Sequence, residues 1–174
     1  QWKHYDSSSQ TSEVRRSRRL VISSIFTIGN YDYGFYWYLY LDGTIQMEIK
    51  LTGIVGVSAV AGGEPNPAQS PLISTELSSP VHQHLFCFRL DWELDGGSNS
   101  LYENQIEVMP MDDDNPEGTQ FRSVSRQLLD EENAKRNIAP EQSRYWKVAN
   151  PSSLNGLGQP VAYKLLPQAM PTLF

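Results

Sequence analysis

The chain has 174 residues, enough for one domain with a sizeable core, and its 39% hydrophobic and 20% charged content argues against wholesale disorder. A net charge of −6 and a pI near 5.0 argue against a nucleic-acid or anionic-membrane partner, either of which calls for a basic surface. No apolar stretch approaches the ~20 residues of a membrane helix, and the single cysteine, Cys87, allows no internal disulfide.

The first residues, Gln1 to Asp6, show no signal-peptide pattern, so the compartment stays open. Residues 7–12 read as a polar loop. Leu20 to Ile28, rich in Val, Ile and Phe, reads as a buried strand. Tyr36 to Leu41 and Thr44 to Leu51 flank Asp42-Gly43, which predicts a hairpin because both turn residues tolerate positive φ. In its second arm Ile45, Met47, Ile49 and Leu51 alternate with Gln46, Glu48 and Lys50, one face buried and one wet. Residues 61–71, with Gly62, Gly63, Pro65, Pro67 and Pro71, form a loop.

A further strand is predicted from about Val81 to Leu94, stopping at Asp95-Gly96-Gly97, with Leu101 to Met109 returning beside it. Asp112-Asp113-Asp114 sits in a polar turn, better read as a solvated acidic loop than as a cation site. Leu128 to Arg136 is compatible with a short helix, and Tyr145 to Ala149 and Val161 to Leu166 with short strands. The architecture these elements imply is mainly antiparallel β, a sandwich of packed sheets.

His82-Gln83-His84 is the sharpest chemical feature. On a strand both imidazoles take one side, together with Phe86, Phe88, Leu90, Trp92 and Leu94, while Arg89, Asp91, Glu93 and Asp95 take the wet side. Paired inward imidazoles need partners, and a transition metal ion serves. Nitrogen donors suit Cu(II), although Zn, Ni and Fe also accept imidazole. Two core histidines bonded to backbone carbonyls are the alternative. His4 has no local support as a ligand. Tyr31 and Tyr33 share parity with Phe35, Trp37, Leu39 and Leu41; taken alone, a tyrosine in such a run is a packing residue.

The segment Thr27-Ile28-Gly29-Asn30-Tyr31-Asp32-Tyr33-Gly34-Phe35-Tyr36-Trp37 resembles the copper amine oxidase family, as do Asp42-Gly43-Thr44-Ile45, Thr52-Gly53-Ile54 and His82-Gln83-His84. Trp2-Lys3-His4, Glu13 to Leu20, Trp146-Lys147, Gly158 to Leu165 and Pro171-Thr172-Leu173 extend the resemblance over nearly the whole chain, residues 55–80 and 98–125 matching least. The basic run Arg15 to Arg19 then belongs to the start of a strand.

The resemblance implies that Tyr31 matures into topaquinone, that His82 and His84 bind copper, and that Asn30 orients the quinone. It implies oxidative deamination of primary amines to aldehydes, with dioxygen consumed and ammonia and hydrogen peroxide released, in a homodimer. Asp91 stands where the family often has an acid for a peripheral cation such as calcium, against the plain reading of a solvated carboxylate. A third copper-binding histidine downstream and a catalytic aspartate upstream are implied but absent from the chain. The expectation is therefore a fragment of the catalytic domain, incomplete at both ends, that folds poorly, binds copper weakly and does not turn over by itself. A cupin-like metal enzyme is disfavoured because no Glu follows His84 at short range. A non-catalytic β-sandwich binding module leaves the Asn30 to Tyr33 motif unexplained.

Overall fold

In the computed structural model, which describes residues 2–60 and 69–167, all strand pairings are antiparallel. The described residues fall into two compact units, one up to Phe86 and one from Cys87 on. No helix among them is long and apolar enough to cross a membrane. Most of the expected Gly/Pro loop at 61–71 and the Pro171-Thr172-Leu173 motif lie outside the described residues.

The first unit opens with a hairpin of β1 (Trp2–Asp6) and β2 (Thr11–Arg15), so the polar loop is shorter than 7–12. The Asp6 carboxylate closes its turn, accepting hydrogen bonds from the Ser8 hydroxyl at 2.6 Å and the Ser9 hydroxyl at 2.8 Å. These donors favour the charged form and hold its pKa down at about 2. His4 is exposed and stacks on Trp2.

A three-stranded meander follows: β3 (Arg19–Ile28), β4 (Tyr31–Tyr40) and β5 (Ile45–Gly53). Gly29-Asn30 forms the first turn, with Ile28 opposite Tyr31 and Gly29 at φ +61. Glycine at the first central position, alone with positive φ, is what a type II′ two-residue hairpin turn calls for. The predicted second hairpin forms, with Leu39 opposite Ile45 and the Gly43 N–H donating to the Tyr40 carbonyl. Only Gly43 takes a positive φ there; Asp42 instead accepts the Thr44 N–H through its carboxylate at 2.9 Å.

This sheet departs from expectation in two strands: β3, read as buried, is exposed along its length among the described residues, and β5 differs in its faces. Ile45 and Leu51 are exposed and Met47 and Ile49 half-buried, whereas Glu48, expected on the wet face, is half-buried. On that second face Tyr38 is only 4% exposed: its hydroxyl donates to Glu48 at 2.6 Å and the Arg19 guanidinium lies 3.8 Å over its ring. The guanidinium covers the ring face itself, a cation–π contact. The hydrogen bond from Tyr38 stabilises the Glu48 carboxylate, so the phenol is raised and the carboxyl lowered. A small sheet of β6 (Ser58–Ala59), β7 (Leu72–Ser74) and β8 (Leu77–Ser78) completes the ladders of this unit.

The strand expected across Val81 to Leu94 does not form. No ladder partner lies beside these residues among those described, so the segment belongs to no sheet. Leu101 to Met109 accordingly pairs elsewhere. In the second unit β9 (Ser100–Val108), β10 (Phe121–Leu128), β11 (Tyr145–Leu154) and β12 (Pro160–Leu165) form one sheet in the order β10-β9-β11-β12.

The short helix compatible with Leu128 to Arg136 is not formed either. Leu128 ends β10, and Asp130 caps a single turn by accepting both the N–H and the side-chain amide of Asn133, a turn that does not continue as helix. Arg136 is drawn away to Glu103 at 2.7 Å. Asp112 likewise serves its own turn, accepting the N–H groups of Asp114 and Asn115.

Glu103, 3% exposed on β9, meets Arg136 and, at 3.5 Å, the Arg144 guanidinium. Glu103→Ala leaves two guanidinium groups without their shared anion. A loss of about 2 kcal/mol of stability is expected, smaller than for a fully buried pair because Arg136 is one-third exposed. Denaturant unfolding checks it; an unchanged midpoint would show that water replaces the carboxylate without cost.

Candidate metal centre

The site grows from the Gly29-Asn30 turn, which delivers Tyr31 as the first residue of β4. Because β4 continues through Gly34, Tyr31, Tyr33 and Phe35 take one face. Against that face runs the segment 82–86, its even residues inward: His82 and His84 meet the Tyr31 ring at 5.7 and 5.0 Å, and Phe86 meets Tyr33 and Phe35 at 5.9 and 6.0 Å. The predicted parity therefore holds over 82–86 without the predicted strand, whereas Phe88 and Leu90, expected inward, are exposed. An extended backbone alternates its side chains whether or not a neighbour bonds to it.

The two imidazoles are 4.8 Å apart, centroid to centroid. His84 is half-buried, but His82 is exposed, contrary to the expected burial of both. His82 Nδ1 lies 2.7 Å from the Pro80 carbonyl oxygen, which only accepts; Nδ1 therefore carries the hydrogen. In the neutral ring this leaves the Nε2 lone pair free, and the Tyr31 hydroxyl donates to it at 3.3 Å. The same hydroxyl oxygen accepts the Gly56 N–H at 2.9 Å. His84 Nδ1 pairs with the Tyr33 hydroxyl at 3.0 Å, a partner able to give or take the proton.

Gly53 makes this approach possible. It stands opposite Tyr31 at φ +107, and a Cβ there would collide with the Asn30 carbonyl, which accepts the Ile54 N–H at 2.7 Å. The chain thus folds back from β5 and carries Gly56 to the phenol oxygen.

Of the sequence-derived site residues, the fold brings Tyr31, His82 and His84 together. Asn30 sits exposed at the turn, its backbone engaged and its side chain without a hydrogen-bond partner among the described residues. Asp91 is exposed, in the second unit. No group of three His, Cys, Asp or Glu side chains converges on a metal position among the described residues. The donor set is two imidazoles and a phenol oxygen, chemistry that fits a nitrogen-preferring ion such as Cu(II). Sequence reasoning missed Gly56, Ser79 and Pro80, which lie in its least-matched stretch, and gave Tyr33 no role. Tyr33 was within reach, since it shares the parity of Tyr31.

An antiparallel sheet thus presents a phenol to a histidine pair. The family model "Copper amine oxidase, enzyme domain" matches residues 1–174. The chain belongs to the copper amine oxidase family. It is 46% identical over 166 residues to a primary amine oxidase of Arthrobacter sp. (strain P1), covering 95% of this chain and 25% of that protein. Identity is also 46% over 172 residues to a histamine oxidase of Arthrobacter globiformis, covering 99% of this chain and 25% of that protein. A copper-containing benzylamine oxidase from Hansenula polymorpha shares the fold with a TM-score of 0.87 at 24% identity, over 99% of this chain and 27% of that chain. The chain thus spans about a quarter of the length of these curated relatives. The mainly antiparallel β architecture read from the sequence is the one observed.

Proposed function

We propose that the protein carrying this chain is a copper- and topaquinone-dependent primary-amine oxidase. It would convert a primary amine, dioxygen and water into an aldehyde, ammonia and hydrogen peroxide. The observation that carries this reading is the 3.3 Å contact between the Tyr31 hydroxyl and His82 Nε2, with His84 packed on the same ring.

His82 and His84 would hold the copper, each through a ring nitrogen whose counterpart is already engaged, by the Pro80 carbonyl and by Tyr33. Copper held there would supply one-electron chemistry, and the quinone would supply an electrophile and electron sink that unmodified side chains lack. In maturation Tyr31 gains two oxygen atoms and loses two hydrogens, consuming two dioxygen molecules and releasing one hydrogen peroxide. The residues around it hold the phenol for that change. Gly56 donates to its oxygen, and the hydrogen bond from the phenol to His82 Nε2 holds it in the metal-free site, giving way when that nitrogen binds copper. Phe35 and Phe86 continue the packed wall beyond Tyr33. Asn30, next in the chain, orients the mature ring in this reading.

Mass spectrometry of the full polypeptide, prepared metal-free and then exposed to Cu(II) and air, tests the proposal. The peptide containing Tyr31 is expected to carry the two-oxygen gain and to react with a hydrazine. An unmodified Tyr31 peptide would end the proposal.

A further inference from the structure

The geometry points to Ser79 as a positioning residue that holds the Tyr31 phenol against His82 through the backbone of Gly56. This rests on reading Tyr31 as the cofactor precursor, and it adds a residue that the resemblance does not touch.

The bonds form a closed circuit. The Ser79 hydroxyl donates to the Gly56 carbonyl at 3.0 Å, and the Gly56 N–H donates to the Tyr31 hydroxyl oxygen at 2.9 Å. The Tyr31 hydroxyl donates to His82 Nε2, and His82 Nδ1–H donates to the carbonyl of Pro80, the residue next to Ser79. Ser79 is 9% exposed, and its own N–H is tied to the Pro71 carbonyl at 3.0 Å, so the hydroxyl stands on a fixed backbone. Gly56 belongs to no strand, and Ser79 is the side chain that pins it. Space at Gly56 is limited as well: a Cβ there would lie 3.2 Å from the Tyr31 oxygen.

A phenol bonded on one side to an amide and on the other to an imidazole has one orientation. With the Gly56 peptide unpinned, the amide leaves, the hydroxyl keeps a single long bond in the metal-free site and none once His82 Nε2 binds copper, and the ring turns away for part of the time. The reaction at Tyr31 then slows by the fraction of time the ring is misplaced.

Ser79→Ala, Ser79→Thr and Tyr31→Phe, made in the full polypeptide, test this in two arms. In the metal-free protein, amide hydrogen exchange at Gly56 reads the bond to Tyr31 directly. It is expected to quicken at least about threefold in Ser79→Ala and in Tyr31→Phe, and to return to the parent rate in Ser79→Thr, which keeps the hydroxyl. In the second arm, quinone formation after Cu(II) and dioxygen addition is expected to slow about three- to tenfold in Ser79→Ala, with Cu(II) affinity unchanged and the rate restored in Ser79→Thr. Unchanged Gly56 exchange in Ser79→Ala, or an unchanged quinone rate beside altered exchange, overturns the inference. So does a fall in Cu(II) affinity matching the loss of rate. Absence of quinone in the parent protein would instead strike the proposed function, and the exchange arm would still decide whether Ser79 holds the phenol.

Discussion

Tyr31→Phe in the full polypeptide is expected to abolish quinone formation while leaving Cu(II) bound. The substitution removes one oxygen and keeps the ring, so packing against His84 at 5.0 Å persists. Without the phenol oxygen the ring can neither lose a proton nor form an electron-rich phenolate, the species that an oxidant attacks. No other residue substitutes: Tyr33 also faces this site, but its hydroxyl is engaged at 3.0 Å with His84 Nδ1 rather than beside His82 Nε2. Amine oxidase activity should fall by at least about three orders of magnitude, because in the proposed function the quinone carries the redox chemistry and the remaining residues bind and orient. Visible absorbance, peptide mass and peroxide release measure it together. Retained visible colour in Tyr31→Phe would place the quinone on another residue.

The second large effect falls on the metal. His84→Ala and His82→Ala each remove an imidazole, leaving one ring nitrogen and a phenol oxygen from this chain. Cu(II) affinity is expected to drop at least about a hundredfold in either variant. Tyr33→Phe supplies the comparison, since it deletes only the hydroxyl beside His84 Nδ1 and should weaken Cu(II) by about tenfold. Titration against a competing chelator reads all three. Equal affinities for His84→Ala and the parent would remove His84 from the ligand set. The two histidines also differ in a predictable way: His82→Ala takes the acceptor from the Tyr31 hydroxyl, so its effect extends to the phenol even in the metal-free protein.

How far the site was legible before folding follows from particular residues. The alternation through His82, His84 and Phe86 put both imidazoles on one side, and the alternation through Tyr31, Tyr33 and Phe35 did the same for the phenols. Both survive in the structure, even though the first segment joins no sheet. The Asp42-Gly43 hairpin was equally legible, because few dipeptides favour such a turn. The β5 pattern misled in degree: its apolar residues share a face as read, but Ile45 and Leu51 stay exposed where nothing among the described residues covers them. Leu128 to Arg136 failed for another reason, since the partner that draws Arg136 out of a helix, Glu103, lies more than thirty residues away.

The sequence by itself determined which side each residue of an extended segment presents, since that alternation is built into the geometry of the chain. At Asp42-Gly43 it also determined where the chain reverses, because glycine and its neighbours carry their own backbone preferences. Only the tertiary structure decided which faces meet: that the histidine segment lies against β4, and that Ser79 and Gly56 close around the phenol. Such contacts join residues tens of positions apart, and no local pattern encodes a partner that only the folded chain brings within hydrogen-bond reach.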